Sequence, residues 1–205
     1  MIHHSKIQFK ARAGIAALVG CMALASGVLA SSALAGGGVS AAPHHHPTVA
    51  GAKAKLRNGV AIAPKSAPKR VKAAIAAANR IANGHGYMLG GGHEWKAGKP
   101  IWNPKKLAKY QGFKRSKYDC SGTVSYVLHA ARAISAPAPS GPLESWGAKG
   151  RGKWISVYAN GGHAFMTVAG LRFDTSDTAG SGPGWAKSMG YESPKSYTVR
   201  HKNGL

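Results

Sequence analysis

Cysteine and acidic residues are scarce in this sequence of 205 residues. It has two cysteines, Cys21 and Cys120, and 6 Asp and Glu residues against 28 Lys and Arg residues. Because Cys21 falls in an amino-terminal segment that we predict to be a signal, Cys120 is the only thiol left to the folded domain. An intramolecular disulfide is therefore excluded, and Cys120 is either a buried inert side chain or a reactive thiol.

The first 35 residues have the pattern of a secretory signal. Three basic residues precede an uncharged run rich in Ala, Leu and Val, which ends at the small-x-small triplet 33–35. This pattern predicts a signal peptide over 1–35 and a secreted protein, and so much Ala and Gly does not indicate a stable membrane span. One alternative stays open, since residues 18–21 resemble a bacterial lipobox that would make Cys21 a lipid anchor.

The excess of basic residues predicts an anionic partner. The formal net charge is +22, and removal of the signal takes away Lys6, Lys10 and Arg12, which leaves 25 basic against 6 acidic residues, or +19. Outside the cytoplasm the available polyanions are cell-wall polymers and lipid head groups, so we expect anionic wall polymers to bind the basic surface. Nucleic acid is not expected, because no nucleic-acid-binding motif is present.

Two regions follow the signal. Residues 36–67 are rich in Gly, Ala, Pro, Lys and His without a sustained apolar period, which predicts a basic linker. The histidines at 44–46 have no further ligands nearby at metal-site spacing, so no metal and no cofactor are predicted. Residues 68–205 are enough for one domain with a core, and we predict that this is the catalytic domain.

In this domain, helical patterns precede strand patterns. Apolar residues recur at three- and four-residue steps from Val71 to Ile81, a short helix is predicted near 104–110, and another is predicted to start at Cys120. Four segments have strand patterns: 154–158, 163–168, 171–175 and 197–200. This order predicts an α+β fold in which amino-terminal helices pack on an antiparallel sheet.

Cys120 has the position that a cysteine nucleophile needs. In the first turn of a helix, unpaired amides and the positive end of the helix dipole favour thiolate over thiol. The same amides can form an oxyanion hole for acyl transfer. The carboxylate of Asp119 opposes the thiolate unless it is turned away, for instance as a helix cap.

A base is also required, and His163 is the best-placed candidate. It follows Gly161 and Gly162 and opens a predicted strand, so the small residues before it leave a cleft accessible. His93, in a Gly-rich loop, is the competing candidate. We therefore predict a Cys120–His163 pair.

The third member of the site is predicted from hairpin geometry. If Ala169 and Gly170 form a two-residue turn, residues whose numbers sum to 339 face each other, and His163 lies diagonal to Asp174 on one face. Asp174 would then orient the imidazole by accepting its Nδ1–H. Asp177 or a residue near His201 remains an alternative third member.

The run Asp119–Gly122 at a helix start, followed by Gly-His opening a strand, resembles the NlpC-type cell-wall peptidases. That family has a compact papain-like cysteine peptidase fold. The resemblance covers about residues 71–201 and includes Tyr87, where the family places an aromatic residue in the substrate cleft. It implies cleavage of amide bonds in peptidoglycan stem peptides, commonly after the γ-carboxyl of D-glutamate. It also implies that Asp119 and Ser121 hold the polar end of the substrate, although helix capping is an equal alternative for Asp119.

The sequence departs from the family pattern at two places. The family commonly has a histidine where Asp174 stands, and its Gly-Asp-Leu segment before the histidine strand is replaced by residues 154–159. Two other functions stay open. One is an amidase or acyltransferase on wall or lipid substrates, and the other is a non-catalytic basic wall-binding protein with the same fold.

Overall fold

The computed structural model describes residues 48–176, 178, 181–187, 189 and 194–205. The chain divides into two compact units, and all described residues belong to the second, His44–Leu205. The predicted signal peptide, Cys21 and the first part of the predicted linker lie outside the described residues. Helices of the described part are α1 (Lys69–Ile81), α2 (Pro104–Gln111), α3 (Cys120–Ala130) and α4 (Ser140–Leu143).

Eleven strands occur in the same described ranges. They are β1 (Thr48–Val49), β2 (Lys55–Arg57), β3 (Val60–Pro64), β4 (Trp95–Lys96), β5 (Lys99–Pro100), β6 (Ala148–Lys149), β7 (Ile155–Ala159), β8 (Ala164–Val168), β9 (Leu171–Asp174), β10 (Gly184–Ala186) and β11 (Thr198–His201). Six of them form the main sheet in the order β10-β9-β8-β7-β11-β6, with antiparallel pairing throughout. The prediction of helices and an antiparallel sheet in a mixed α and β domain is confirmed.

Helices α1 and α3 pack against each other, and both contact the main sheet. Apolar side chains from all three elements form one core, among them the fully buried Val71, Val124, Leu128, Val157 and Met166. The predicted helix starts near residues 104 and 120 are confirmed. Asn103 caps α2 by accepting hydrogen bonds from the amides of Lys105 and Lys106, and α3 begins at Cys120.

The prediction of a linker over 36–67 is wrong from residue 48 onward. Strands β1, β3 and β2 form a small sheet, and the side chain of Asn79 on α1 holds both backbone groups of Ala61 in β3. Strands of two to five residues are too short to show a clear apolar period. The sequence did contain one signal for these strands, the dipeptide Asn58-Gly59. These two residues, with φ values of 49° and 75°, form the two-residue turn between β2 and β3.

The hairpin register that places Asp174 is confirmed. Val168 pairs with Leu171 across Ala169 and Gly170, whose φ values are 48° and 83°, and the remaining β8–β9 pairs also sum to 339. A two-residue turn with both φ values positive matches the twist of the flanking strands, which fixes the pairing. His163 and Asp174 therefore fall on the same face of the hairpin.

Candidate active site

Cys120 is the first residue of α3, and its side chain is 9% exposed. The preceding residue caps the helix, because Asp119 Oδ1 accepts a hydrogen bond from the Gly122 amide at 2.6 Å. Its other oxygen accepts from the Gly90 amide at 3.0 Å. The carboxylate is thus turned into the helix start, where it opposes a thiolate least.

Asp119 stays ionised although it is buried. Burial raises its pKa, but hydrogen bonds from His93 and from the amides of Gly122 and Gly90 lower it more, and so does the charge on His93. The net effect is a lowered pKa for this carboxyl. The cap is therefore a charged acceptor, which holds amides more strongly than a neutral one.

The glycine of the Asp-Cys-Ser-Gly run permits a close backbone contact. The Gly91–Gly92 loop lies against the first turn of α3, and the Asp119 amide donates to the Gly91 carbonyl at 2.9 Å. A methyl group at Gly122 would stand 2.1 Å from that same carbonyl oxygen. No side chain fits there unless the loop moves.

We expect Gly122→Ala to lower the free energy of unfolding by about 1–3 kcal/mol, because the added methyl group overpacks against backbone. Gly141→Ala on α4 is the matched control, since nothing lies within 4 Å of its added methyl group. Urea unfolding followed by circular dichroism measures both, and Gly141→Ala should change stability by less than about 0.5 kcal/mol. Equal stabilities for the two variants would contradict the close contact.

His163 is held by Asp174, but not through the nitrogen that the sequence suggested. Its Nε2 lies 2.9 Å from Asp174 Oδ1. Because a carboxylate accepts, Nε2 carries the proton in this contact, and the expectation of an Nδ1 contact is wrong. The strand pattern determines only that His163 and Asp174 share a face, whereas rotation of the imidazole ring determines which nitrogen faces the carboxylate. Nδ1 is left for a partner on the other side.

Cys120 is a second group that acts on the His163 ring. Burial, the largest single influence, lowers the pKa of His163, but hydrogen bonds and charges from Asp174 and Cys120 outweigh it and raise the pKa to about 10. The imidazole is therefore stabilised as the imidazolium between two acidic partners. This is the electrostatic arrangement of a Cys–His ion pair.

The raised pKa of His163 predicts how stability changes with pH. The folded state holds the proton up to about pH 10, whereas the unfolded chain releases it near the model-compound value of 6.5. The stabilisation is therefore fully present below pH 6.5 and is lost as pH rises through 10, by an amount on the order of 3 kcal/mol. Urea unfolding between pH 6 and pH 10 should show this fall. It should be smaller in Cys120→Ala and absent in His163→Gln, and an unchanged slope in His163→Gln would contradict the assignment.

The chain matches no protein-family model, and it matches no curated protein. The likeness to the NlpC-type peptidases therefore rests on the residues of the site themselves.

A buried arginine that the sequence analysis missed holds the other side of Asp174. Arg172 and Asp174 are each 1% exposed, and Arg172 Nε donates to Asp174 Oδ2 at 2.9 Å, with Nη2 bonded to the same oxygen. The guanidinium also lies over the Phe165 ring at 4.6 Å. One carboxylate oxygen thus faces His163 and the other faces Arg172. The signal was a charged residue two positions before Asp174, hence on its face, in an otherwise apolar strand.

The predicted substrate-binding residues lie around Cys120. Tyr87 is 45% exposed, and burial, followed by the charges of Cys120 and Asp119, raises its pKa. Ser121 Oγ donates to Asp119 Oδ1 at 3.2 Å. His93 Nε2 contacts both of those groups, at 3.1 Å from Asp119 Oδ1 and 3.0 Å from Ser121 Oγ. His93, the competing candidate for the base, is therefore hydrogen-bonded to residues at the start of α3.

The sequence left two alternatives to Asp174 as the third member of the site. Asp177 lies outside the described residues, and the His201 ring is bonded elsewhere, with Nδ1 at 3.1 Å from the Gly150 carbonyl oxygen. Among the residues that the structure describes, no group of three or more His, Cys, Asp or Glu side chains could hold a metal ion. In the same part of the chain, no helix is long and apolar enough to cross a membrane.

Proposed function

We propose that this protein is a secreted, cell-wall-associated cysteine peptidase that cleaves amide bonds in peptidoglycan stem peptides through an acyl-enzyme. The observation that carries the proposal is the Cys120–His163–Asp174 arrangement. The thiol lies at the capped start of α3, the imidazole interacts with it, and a buried carboxylate holds the imidazole from the far side. A papain-like fold fits this arrangement, in which a helix carries the nucleophile and a sheet carries the base.

The first half-reaction follows from the positions of these groups. His163 takes the thiol proton, and the Cys120 sulfur attacks the carbonyl carbon of the scissile amide. The Asp119 cap occupies the Gly122 amide, which leaves the amides of Cys120 and Ser121 to donate hydrogen bonds to the oxyanion. The tetrahedral intermediate collapses to a thioester as the C–N bond breaks, and the leaving amine takes the proton from His163.

Water completes the cycle. His163, now neutral, removes a proton from a water molecule that attacks the thioester carbonyl. The C–S bond then breaks, the acid product leaves, and the proton returns to the Cys120–His163 pair. Asp174 keeps the ring oriented through both halves and stabilises each imidazolium as it forms.

The choice of stem peptides as substrates rests on three features together. The amino-terminal segment predicts export, the run Asp119–Gly122 resembles the wall peptidases, and Tyr87 stands half-exposed beside Cys120 as an aromatic wall for a peptide. Ser121 lines the same helix start. Asp119 supports the cleft as the helix cap, because both of its oxygens are already hydrogen-bonded within the protein.

Mass spectrometry of muropeptides tests the proposal. Purified sacculi are incubated with the mature protein and, in parallel, with Cys120→Ala. We expect soluble fragments with a cut stem peptide from the wild type and none from the variant. Glycan freed of peptide would indicate an amidase, a transferred acyl group would indicate an acyltransferase, and unchanged sacculi that retain the protein would indicate a wall-binding protein. Any of these three results overturns the peptidase proposal.

A further inference from the structure

A cleft away from Cys120 concentrates positive charge. It has a cavity volume of about 450 Å³, and its lining includes Arg80 from the end of α1, Lys105 from the start of α2, and Lys114 and Arg115 from the loop before α3. His85 and Ser116 form its floor. Four cationic side chains from three chain segments thus surround one space.

These charges have no counter-ion within the described part of the chain. No acidic residue described there lines the cleft. Arg80 donates to the Tyr126 hydroxyl at 3.1 Å and Arg115 to the Gly84 carbonyl at 3.3 Å, so both guanidinium groups have neutral partners. The side-chain ammonium groups of Lys105 and Lys114 have no hydrogen-bond or ion-pair partner among the described residues. Like charges brought together without compensation repel each other, and an anionic occupant removes that cost.

The positive charge of Arg115 also acts on His85, which lines the same cleft. Its Nδ1 lies 2.8 Å from the Ser116 carbonyl oxygen and 2.9 Å from Ser116 Oγ. Burial lowers its pKa, the contact with Ser116 raises it, and the charge of Arg115 lowers it further. The lowered pKa of His85 favours the neutral ring. Because the carbonyl accepts from Nδ1, Nε2 is the nitrogen that an anion would cause to be protonated.

Two paired chain segments connect the cleft with the active site. Segments 84–88 and 115–119 pair through two backbone hydrogen bonds, from the Tyr118 amide to the Gly86 carbonyl and from the Met88 amide to the Tyr118 carbonyl. At one end these segments carry His85 and Arg115 of the cleft, and at the other they reach Tyr87 and Asp119 of the active site. A polymer in the cleft would lie next to the peptide being cut.

We propose that this cleft binds the phosphodiester groups of an anionic wall polymer and holds that polymer beside the active site. Cations that approach from several sides suit a tetrahedral phosphate, whereas a carboxylate presents two oxygens in one plane. Side chains supply the contacts, because Asn103 already occupies the first amides of α2. The cavity exceeds one phosphate group, which favours a polymer. The wall location of the partner rests on the proposed function, but the binding does not depend on catalysis.

The test is binding of labelled polyphosphate to the mature protein, measured by fluorescence anisotropy near 0.1 M salt, where screening leaves short-range pairs intact. The cleft variant is Lys105→Gln/Lys114→Gln. The matched control is Lys55→Gln/Lys149→Gln, which removes the same charge from exposed positions on β2 and β6. We expect roughly tenfold weaker binding for the cleft variant than for the control. Equal losses in the two variants would overturn the proposal, because net charge alone would then explain binding.

Two further measurements sharpen the result. Poly-glutamate should bind the wild type more weakly than polyphosphate, and equal affinity would overturn the assignment to phosphate. The pKa of His85, followed by NMR, should rise when polyphosphate binds to the wild type and stay constant in the cleft variant. All three measurements can be made on the Cys120→Ala protein. Failure of the peptidase proposal would therefore leave binding intact, and failure of binding would leave cleavage of polymer-stripped sacculi intact.

Discussion

Cys120→Ala is expected to lower the rate of stem-peptide cleavage by at least about 10⁴-fold, because it removes the nucleophile. His163→Ala should lose nearly as much, since the two side chains act as one unit and their losses do not add. The double variant should therefore be no slower than either single variant. Initial rates of muropeptide release, with folding checked by circular dichroism, measure all three.

His93→Ala is the control for these variants. His93 contacts Asp119 and Ser121, whereas His163 interacts with Cys120. Its loss removes one hydrogen bond from the helix cap and should slow cleavage far less than His163→Ala. If a folded His163→Ala protein cleaves normally while His93→Ala does not, the base has been assigned to the wrong histidine.

Asp174→Ala is expected to destabilise the protein by about 3–5 kcal/mol, because it removes the buried carboxylate that pairs with Arg172 and accepts a hydrogen bond from His163. Asp174→Asn should be nearly as unstable. An amide presents one oxygen, so it can accept from His163 or from Arg172, and its NH₂ group then meets a donor on the other side. Urea unfolding measures the loss in both variants.

Removal of both charges separates stability from catalysis. Arg172→Met/Asp174→Asn keeps a side chain of similar length over Phe165 and removes both charges of the buried pair, so it should recover most of the stability. It should still cleave slowly, because an amide cannot stabilise the imidazolium of His163 as a carboxylate does. A double variant as unstable as Asp174→Ala would show that the buried pair is not the cause. Full activity in it would show that the charge of Asp174 is dispensable.

Local signals in the sequence indicated the three central residues of the candidate site, and their catalytic roles stay predictions. The cap and helix start at Asp119–Cys120, and the turn at Ala169–Gly170, are short-range features that fix backbone geometry within a few residues. Side chains of a strand alternate between its two faces, so the position of the turn also determines which residues share a face. This placed His163 and Asp174 on the same face. The same signal at Asn58–Gly59 would have extended the domain to residue 48.

The sequence by itself indicated Cys120, His163 and Asp174 as the candidate nucleophile, base and carboxylate, and it determined the surplus of positive charge, because each follows from residue type and local geometry. The tertiary structure alone decided which imidazole nitrogen faces Asp174, that Arg172 is buried against it, and that His93 joins the helix cap. It also decided that Arg80, Lys105, Lys114 and Arg115 share one cleft. These contacts join segments that are distant in the chain, and their geometry depends on how helices and sheet pack rather than on any period in the sequence.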